Sequence, residues 1–213
     1  MSSNKTLALI GGGGFACEVL EVARMRGYTV SDYYATQEGS IDLVYRGYLD
    51  ELVQHRDNYD GVAIAFGAVN QAGLQRRHEL AAFLDQNGFV APSLVSPHAI
   101  VCAGAALGRG VFIAHAVVVS VHATIGDFCL LNTGAIIGHH TEIGRNTMVS
   151  PKVFIGGNCR IASDVVLGAG ANILQERSVG QGAMVGVGVD VYRDVKPNSI
   201  IWPARYHATG PGD

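Results

Sequence analysis

The stretch LLNTGAIIGHHTEIGRNTMVS, residues 130–150, places an aliphatic side chain at every sixth position: Leu131, Ile137, Ile143 and Val149. The spacing extends outward in both directions. It runs through Val95, Val101, Leu107, Ile113, Val119 and Ile125 on one side. On the other it continues through Ile155, Ile161, Leu167, Ile173, Val179, Val185 and Val191, seventeen hits without an insertion. Four residues after each, the side chain is nearly always small or β-branched, as at Ala123, Cys129, Ala135, Thr141 and Thr147; Arg177 is the rough exception. Glycine directly follows the aliphatic residue in eight of the seventeen repeats.

A period of six sustained this long predicts a β-helix with three hexapeptides per coil and nearly six coils. The aliphatic residue fills the centre of each flat side, and the small residue fits the corner. Glycine relieves backbone crowding near the turns. Stacked coils satisfy each other's backbone groups, which a lone coil cannot do. Pro197 breaks the period, so residues 93–196 are expected to form the β-helix and 197–213 a tail.

Residues 1–92 follow a different grammar. The apolar run TLALI (6–10) reads as a strand, GGGG as a loop, and FACEVLEVARMRG as a helix with Val19, Leu20 and Ala23 on one face. YTVSDYY (28–34) and GVAIAFG (61–67) read as further strands. NQAGLQRRHELAAFLDQNG reads as a helix with Leu74, Leu80, Ala81 and Leu84 inward. Strands alternating with helices predict a small parallel α/β domain, a Rossmann-like βαβαβ unit.

Composition narrows the function classes. A net charge of −3 without a basic run gives nucleic-acid binding little support. No apolar run is long enough for a membrane span, and no signal peptide is apparent at the start. Cys17, Cys102, Cys129 and Cys159 have no zinc-like spacing. These features suggest a cytoplasmic protein with reduced thiols.

Three groups of residues carry candidate chemistry. Gly11, Gly13 and Ala16 fit G-x-G-x-x-A after a strand, an arrangement that aims backbone N–H groups and a helix N-terminus at a phosphate. Gly14 lies in the same loop, where a plain turn glycine is the alternative. Asp32 lies where a ribose- or base-binding acid is expected. The domain lacks a second half for a dinucleotide, so a mononucleotide diphosphate fits better. Gly67 and Asn70 lie on the same edge, and Asn70 also reads as a helix N-cap. The third group is the pair His139 and His140. Stacking residues 18 apart puts His122, His140 and Asn158 in one column and Val121, His139 and Gly157 in the next. His139 then faces a glycine, with room for a ligand. A zinc site is the rival reading, but the gaps among His98, His115, His122, His139 and His140 are 17, 7, 17 and 1. They do not match the His pair five apart of the γ-class carbonic anhydrases, and no metal is expected.

IGGGGFACEVLEVA, AIAFGAVNQAGLQRR, LLNTGAIIGHHTEIG and PNSIIWPAR together resemble the hexapeptide-repeat sugar acetyltransferases with an N-terminal nucleotide-sugar-binding domain. Within that family the sequence is similar to sialic acid O-acetyltransferase-like proteins and to UDP-4-amino-sugar and GDP-perosamine N-acetyltransferases. The resemblance implies a left-handed β-helix, a homotrimer and acetyl-CoA in the groove between adjacent β-helices. It implies His139 as general base, a role suited to an imidazole near neutral pH. A polar turn residue is the alternative. Relatives carry Asp or Glu where His140 stands, and often His where Phe15 stands. The family makes Gly11, Gly13, Gly14, Phe15, Asp32, Gly67 and Asn70 candidate nucleotide-sugar contacts. It makes Gly157, Gly168, Gly170, Gly186 and Gly188 candidate acetyl-CoA contacts, with Arg205 meeting a CoA phosphate or standing as a solvated tail charge. The implied reaction is acetyl transfer to the 4-amino group of a nucleotide-linked 4-amino-4,6-dideoxy sugar in surface-glycan synthesis. The alternatives are O-acetylation of a sialic acid or related sugar, and a non-catalytic β-helix scaffold.

Overall fold

The computed structural model describes residues 5–203. From Leu94–Val95 to Ile200–Ile201 the chain forms eighteen two-residue strands in three parallel sheets of seven, six and five strands. They wind as a left-handed parallel β-solenoid of about six turns. The register is the one the period predicts. Ile136 and Ile137 pair with Phe154 and Ile155, 18 residues on, and Leu130 and Leu131 pair with Met148 and Val149. The first face contains Leu130–Leu131, the second Ile136–Ile137 and the third Glu142–Ile143. Ile113, Ile125, Leu131, Ile137, Val149, Ile155 and Leu167 point inward and are buried, as are the corner residues Ala123, Cys129, Thr141 and Cys159.

The corners have a second rule that the aliphatic period does not display. Three residues after each periodic position φ is positive, without a break from Gly104 to Gly188 in steps of six. Glycine is not required there. Ala116, His122, Phe128, His140, Asn146, Lys152, Asn158, Asp164 and Glu176 all take φ of 56–61°. A left-handed non-glycine residue costs roughly 1–2 kcal/mol. Against that, all of these N–H groups except that of His122 find a carbonyl one coil back: Ala116 bonds to His98, His140 to Val121 and Lys152 to Thr133, at 3.0–3.1 Å. The glycine that directly follows an aliphatic residue serves a different need. A Cβ on Gly126 would lie 2.7 Å from the Arg145 nitrogen and 2.9 Å from the Ile143 carbonyl oxygen of the next coil. That position is glycine for want of space, in line with the expected relief of crowding.

The end of the solenoid differs from the expected tail. Ile200–Ile201 rejoins the first face and pairs with Met184 and Val185. Val195 bridges to Val179. Both offsets are 16 residues, so the last turn is two residues short, and the solenoid continues past the break at Pro197.

The N-terminal residues form a parallel sheet of order β3-β2-β1-β4, with β1 Leu7–Ile10, β2 Asp32–Tyr34, β3 Val44–Tyr45 and β4 Gly61–Ile64. Helix α1 spans Gly14–Met25, a short α2 spans Leu49–Gln54 and α3 spans Gln71–Gln86. The sequence reading anticipated α1 and α3 but neither β3 nor α2. Buried on α3, beside the expected Leu74, Leu80, Ala81 and Leu84, is Arg77 at 2 % exposure. Its guanidinium donates to the carbonyls of Phe66, in the N-terminal unit, and Phe128, on a solenoid corner. Burial pushes its pKa down to about 10, so it stays charged near neutrality. Around this link, Asn146 donates to the Leu74 carbonyl at 3.1 Å. Asp85 pairs with both Arg109 and Arg145, whose guanidinium groups lie 5.0 and 5.1 Å from the ring of Phe128. Phe15 meets Phe112 edge-on at 5.4 Å.

The two corner rules predict opposite outcomes. Gly126→Ala should destabilise by about 2–3 kcal/mol through overpacking. Ala116→Gly should change stability by less than about 0.5 kcal/mol, because relief of the left-handed strain is offset by glycine's greater chain entropy. Denaturant unfolding midpoints of the two variants test this.

Candidate active site

The β1–α1 loop is built for close approach. Gly11 has φ +126°, and a Cβ there would run into the carbonyl of Ala65. A Cβ on Gly12 would penetrate the ring of Tyr33. Gly13 and Gly14 differ: no atom lies within 4 Å of a Cβ built on either. Gly13 is the N-cap of α1, with no side-chain cap and no acid in the first turn. The first turn of α1 thus opens on a cleft with no capping side chain or acid of its own, Glu18 lining the same cleft one turn further on.

Three clefts adjoin one another along this edge. The first, about 530 Å³, lies between Gly11, Gly12 and Gly13, the Ala35–Ser40 loop, and Tyr48, Phe66 and Arg76. The Arg76 guanidinium stacks 5.3 Å from the Tyr48 ring and donates to its hydroxyl. The second, about 510 Å³, shares Gly11, Gly12, Gly13 and Phe66 with the first. It adds Gly14, Phe15, Gly67 and Val69, and on the solenoid Asn132, Met148 and Ser150. The third, about 300 Å³, shares Val69, Ser150 and Pro151 with the second and runs on over Val166, Gly168, Met184, Gly186, Ile200 and Trp202. It is predominantly apolar.

These clefts bring together Gly11, Gly13, Gly14, Phe15 and Gly67 with Gly168 and Gly186. They do not include the other candidates. Asp32 is buried at the start of β2, two residues short of its C-terminal end, and its oxygens accept from Ser31, Arg46 and Tyr59 at 2.8–2.9 Å. Burial opposes its ionisation, but the Arg46, Tyr59 and Ser31 bonds outweigh it and hold the carboxyl below its usual range. Asp32 thus anchors the sheet edge and does not face the cleft. Asn70 caps α3, its Oδ1 accepting from Gly73 at 2.8 Å. Gly170 and Gly188 sit at left-handed corners with open space around them. Arg205 lies outside the described residues. Tyr48, Arg76, Asn132 and Ser150 are additions. Tyr48 is the N-cap of the short helix α2, which the sequence reading did not recognise, and Arg76 lies on the outward face of α3.

His139 and His140 occupy the corner between the second and third faces, away from the three clefts. The stacking deduced from the 18-residue repeat holds. The His140 and His122 rings lie 5.0 Å apart, and a Cβ on Gly157 would sit 2.5 Å from His139 Nε2. The tip of the His139 ring therefore lies over the Gly157 backbone, where any side chain would collide with it. Nδ1 of His139 lies 3.2 Å from Nδ1 of His140. Neither ring is buried. Among the described residues, no group of three or more His, Cys, Asp or Glu is placed to hold a metal ion. No helix among them is long and apolar enough to cross a membrane.

Residues 122–157 match the bacterial transferase hexapeptide family (six repeats). No curated protein matches the chain in sequence. Solved structures match it over nearly its full length. A histidine-to-asparagine mutant of perosamine N-acetyltransferase from Caulobacter crescentus, in complex with CoA and GDP-perosamine, is 25% identical with a TM-score of 0.86, covering 92% of each chain. The acetyltransferase domain of PglB from Neisseria gonorrhoeae, in complex with acetyl coenzyme A, is 25% identical with a TM-score of 0.82, covering 93% of this chain and 96% of that one. WeeI from Acinetobacter baumannii shares the fold at 19% identity and a TM-score of 0.81, covering 92% and 95%. From the glycine loop to the last turn of the solenoid, the chain is similar in structure to hexapeptide-repeat sugar acetyltransferases.

Proposed function

We propose that this protein is an acetyl-CoA-dependent N-acetyltransferase acting on the 4-amino group of a nucleotide-linked 4-amino-4,6-dideoxy sugar. The observation that carries the reading is the continuity of the three clefts. A phosphate-receiving loop opens on one side onto a pocket with an aromatic and a guanidinium, and on the other onto an apolar channel along the solenoid. A nucleoside diphosphate suits the first part, with its phosphates at Gly13 and Gly14 and its base near Tyr48 and Arg76. The sugar then projects toward Asn132 and Ser150. The pantetheine arm of acetyl-CoA suits the channel past Gly168, Gly186 and Trp202. On this reading residues 1–92 are a Rossmann-like nucleotide-sugar-binding domain and residues 93–196 the acetyltransferase domain.

Chemistry then falls to His139. The neutral amine attacks the thioester carbonyl, forming the C–N bond. Its extra proton passes to His139 Nε2 as the tetrahedral intermediate forms. Collapse breaks the C–S bond, and the departing thiolate takes up the proton. A His139 on the second-to-third corner and a cleft on the first face belong to different edges of one prism. The reading therefore brings a second copy to the site. The outer side of the second face supplies an apolar ladder for it: Ile100, Ile136 and Phe154 are all exposed, whereas Thr124, Glu142 and Arg160 line the outer side of the third. Head-to-tail contacts give a ring where the rotation between copies closes, and a homotrimer is the ring this reading adopts.

Incubation with acetyl-CoA and a panel of UDP-, dTDP- and GDP-linked 4-amino sugars, with free CoA measured, tests the reading. Sialic acid serves as the oxygen-acceptor control. CoA release with none of the amino sugars would overturn it. His139→Asn should lower kcat at least about 100-fold with the KM values little changed. Trp202→Ala should raise the KM for acetyl-CoA about five- to tenfold, the worth of one aromatic contact, without changing that for the sugar. Phe154→Glu should reduce the mass seen by light scattering to that of a monomer and abolish turnover, while the far-ultraviolet spectrum is kept.

A further inference from the structure

His139 has no carboxylate to orient it. Among the described residues, no acid is hydrogen-bonded to either ring of the pair; the nearby charged groups are Glu142 and Arg160 on the third face and Glu176 two coils further along the same corner. The structure offers another partner. Nδ1 of His139 and Nδ1 of His140 face each other at 3.2 Å, with the ring planes 81° apart. One nitrogen of such a pair must carry the hydrogen and the other must accept it.

The backbones beneath both rings are pinned. His140 N–H donates to the Val121 carbonyl at 3.1 Å, and the His139 carbonyl accepts from Asn158 at 2.8 Å. His140 takes the left-handed corner conformation, φ 57°. Its ring lies against His122 of the preceding coil, and the His122 ring lies over Gly104, where a Cβ would meet its Cε1 at 2.7 Å. The column Gly104, His122, His140 thus holds the His140 ring from one side, and the bare Gly157 backbone gives the His139 ring its room.

We propose that His140 is a positioning residue that replaces a carboxylate. Neutral His140 accepts a hydrogen bond at Nδ1 from His139 Nδ1–H, and this keeps the hydrogen off His139 Nε2, where the lone pair must receive the acceptor's proton. His122 supports His140 by packing against it, ring centroids 5.0 Å apart and planes tilted by 41°. The proposal rests on His139 acting as general base. A neutral imidazole orients its neighbour as a carboxylate does, but stabilises the imidazolium of the transferred proton less.

Two measurements test it, and the first needs no turnover. In nitrogen-15 spectra of histidine-labelled protein, His139 should be found as the Nδ1–H tautomer, and His140→Ala should shift it toward Nε2–H. An unchanged His139 tautomer in His140→Ala would overturn the proposal, whatever the enzyme's substrate. In the acetyl-transfer assay, His140→Ala should lower kcat about tenfold or more with both KM values unchanged. His140→Asp should restore kcat and move the acid limb of its pH profile to higher pH than in the wild type, because a carboxylate favours the charged ring. Wild-type kcat in His140→Ala, or no recovery in a folded His140→Asp, would overturn it. Loss of the acetyltransferase reading itself would look different: wild-type protein that releases no CoA, or His139→Asn that turns over normally.

Discussion

The structure depends on one hydrogen-bonded register, in which residues of the solenoid, up to its shortened last turn, lie over those 18 positions away. Parallel pairing between coils supplies the partners for the backbone, and a coil without neighbours would leave them unmet. The register also fixes which side chains share a column. Gly157 beside His139 in the next coil and His122 beside His140 in the preceding one follow from the same arithmetic that pairs Ile155 with Ile137. The candidate histidines therefore stand on backbone held by inter-coil hydrogen bonds. The left-handed corner residues show how strong the constraint is, since His, Phe, Lys and Glu accept an unfavourable backbone conformation to keep their inter-coil bonds.

The second constraint is the joint between the N-terminal unit and the solenoid. Arg77 is buried with carbonyl partners from both units and no hydrogen-bonded carboxylate. A buried charge is normally costly, and here one guanidinium satisfies groups that would otherwise be stranded at the seam. Phe66, whose carbonyl it holds, also lines the first two clefts. Phe128, the other partner, lies between two guanidinium groups on the corner. The joint thus fixes the wall of the glycine-loop cleft relative to the solenoid, which a flexible linker would leave variable.

Much of this was legible in the sequence because the relevant physics is periodic or local. The hexapeptide spacing is long and unbroken, so coil number, inward residues and the stacking of His139, His140 and His122 followed by counting. The glycine loop was legible from its position between an apolar run and an amphipathic helix. Where the reading fell short, the cause was non-local. Asp32 lies at the right sequence distance for a ribose contact, but its oxygens are taken by Arg46 and Tyr59, 14 and 27 residues away. Arg77 looks like a surface charge on a helix until the solenoid covers it. Tyr48 and Arg76 share a cleft only because α2 and α3 flank the same loop, and no spacing in the sequence marks that. The strand at Ile200–Ile201 was missed because the last turn abandons the period that made the others visible.

That shortened turn bears on how long such a molecule can grow. A repeating coil ends in unpaired strand edges, which can template another coil or another chain and so lead toward fibres. Here the offset falls from 18 residues to 16, so the last turn is shorter than the coils before it even though Val195 and Ile201 still pair with their columns. Pro197, whose nitrogen lies over Gly180 and carries no hydrogen, removes a donor at the same level. The regular coil therefore gives way, at its described end, to a shorter turn with one backbone donor fewer, an edge unlike that of a full repeat.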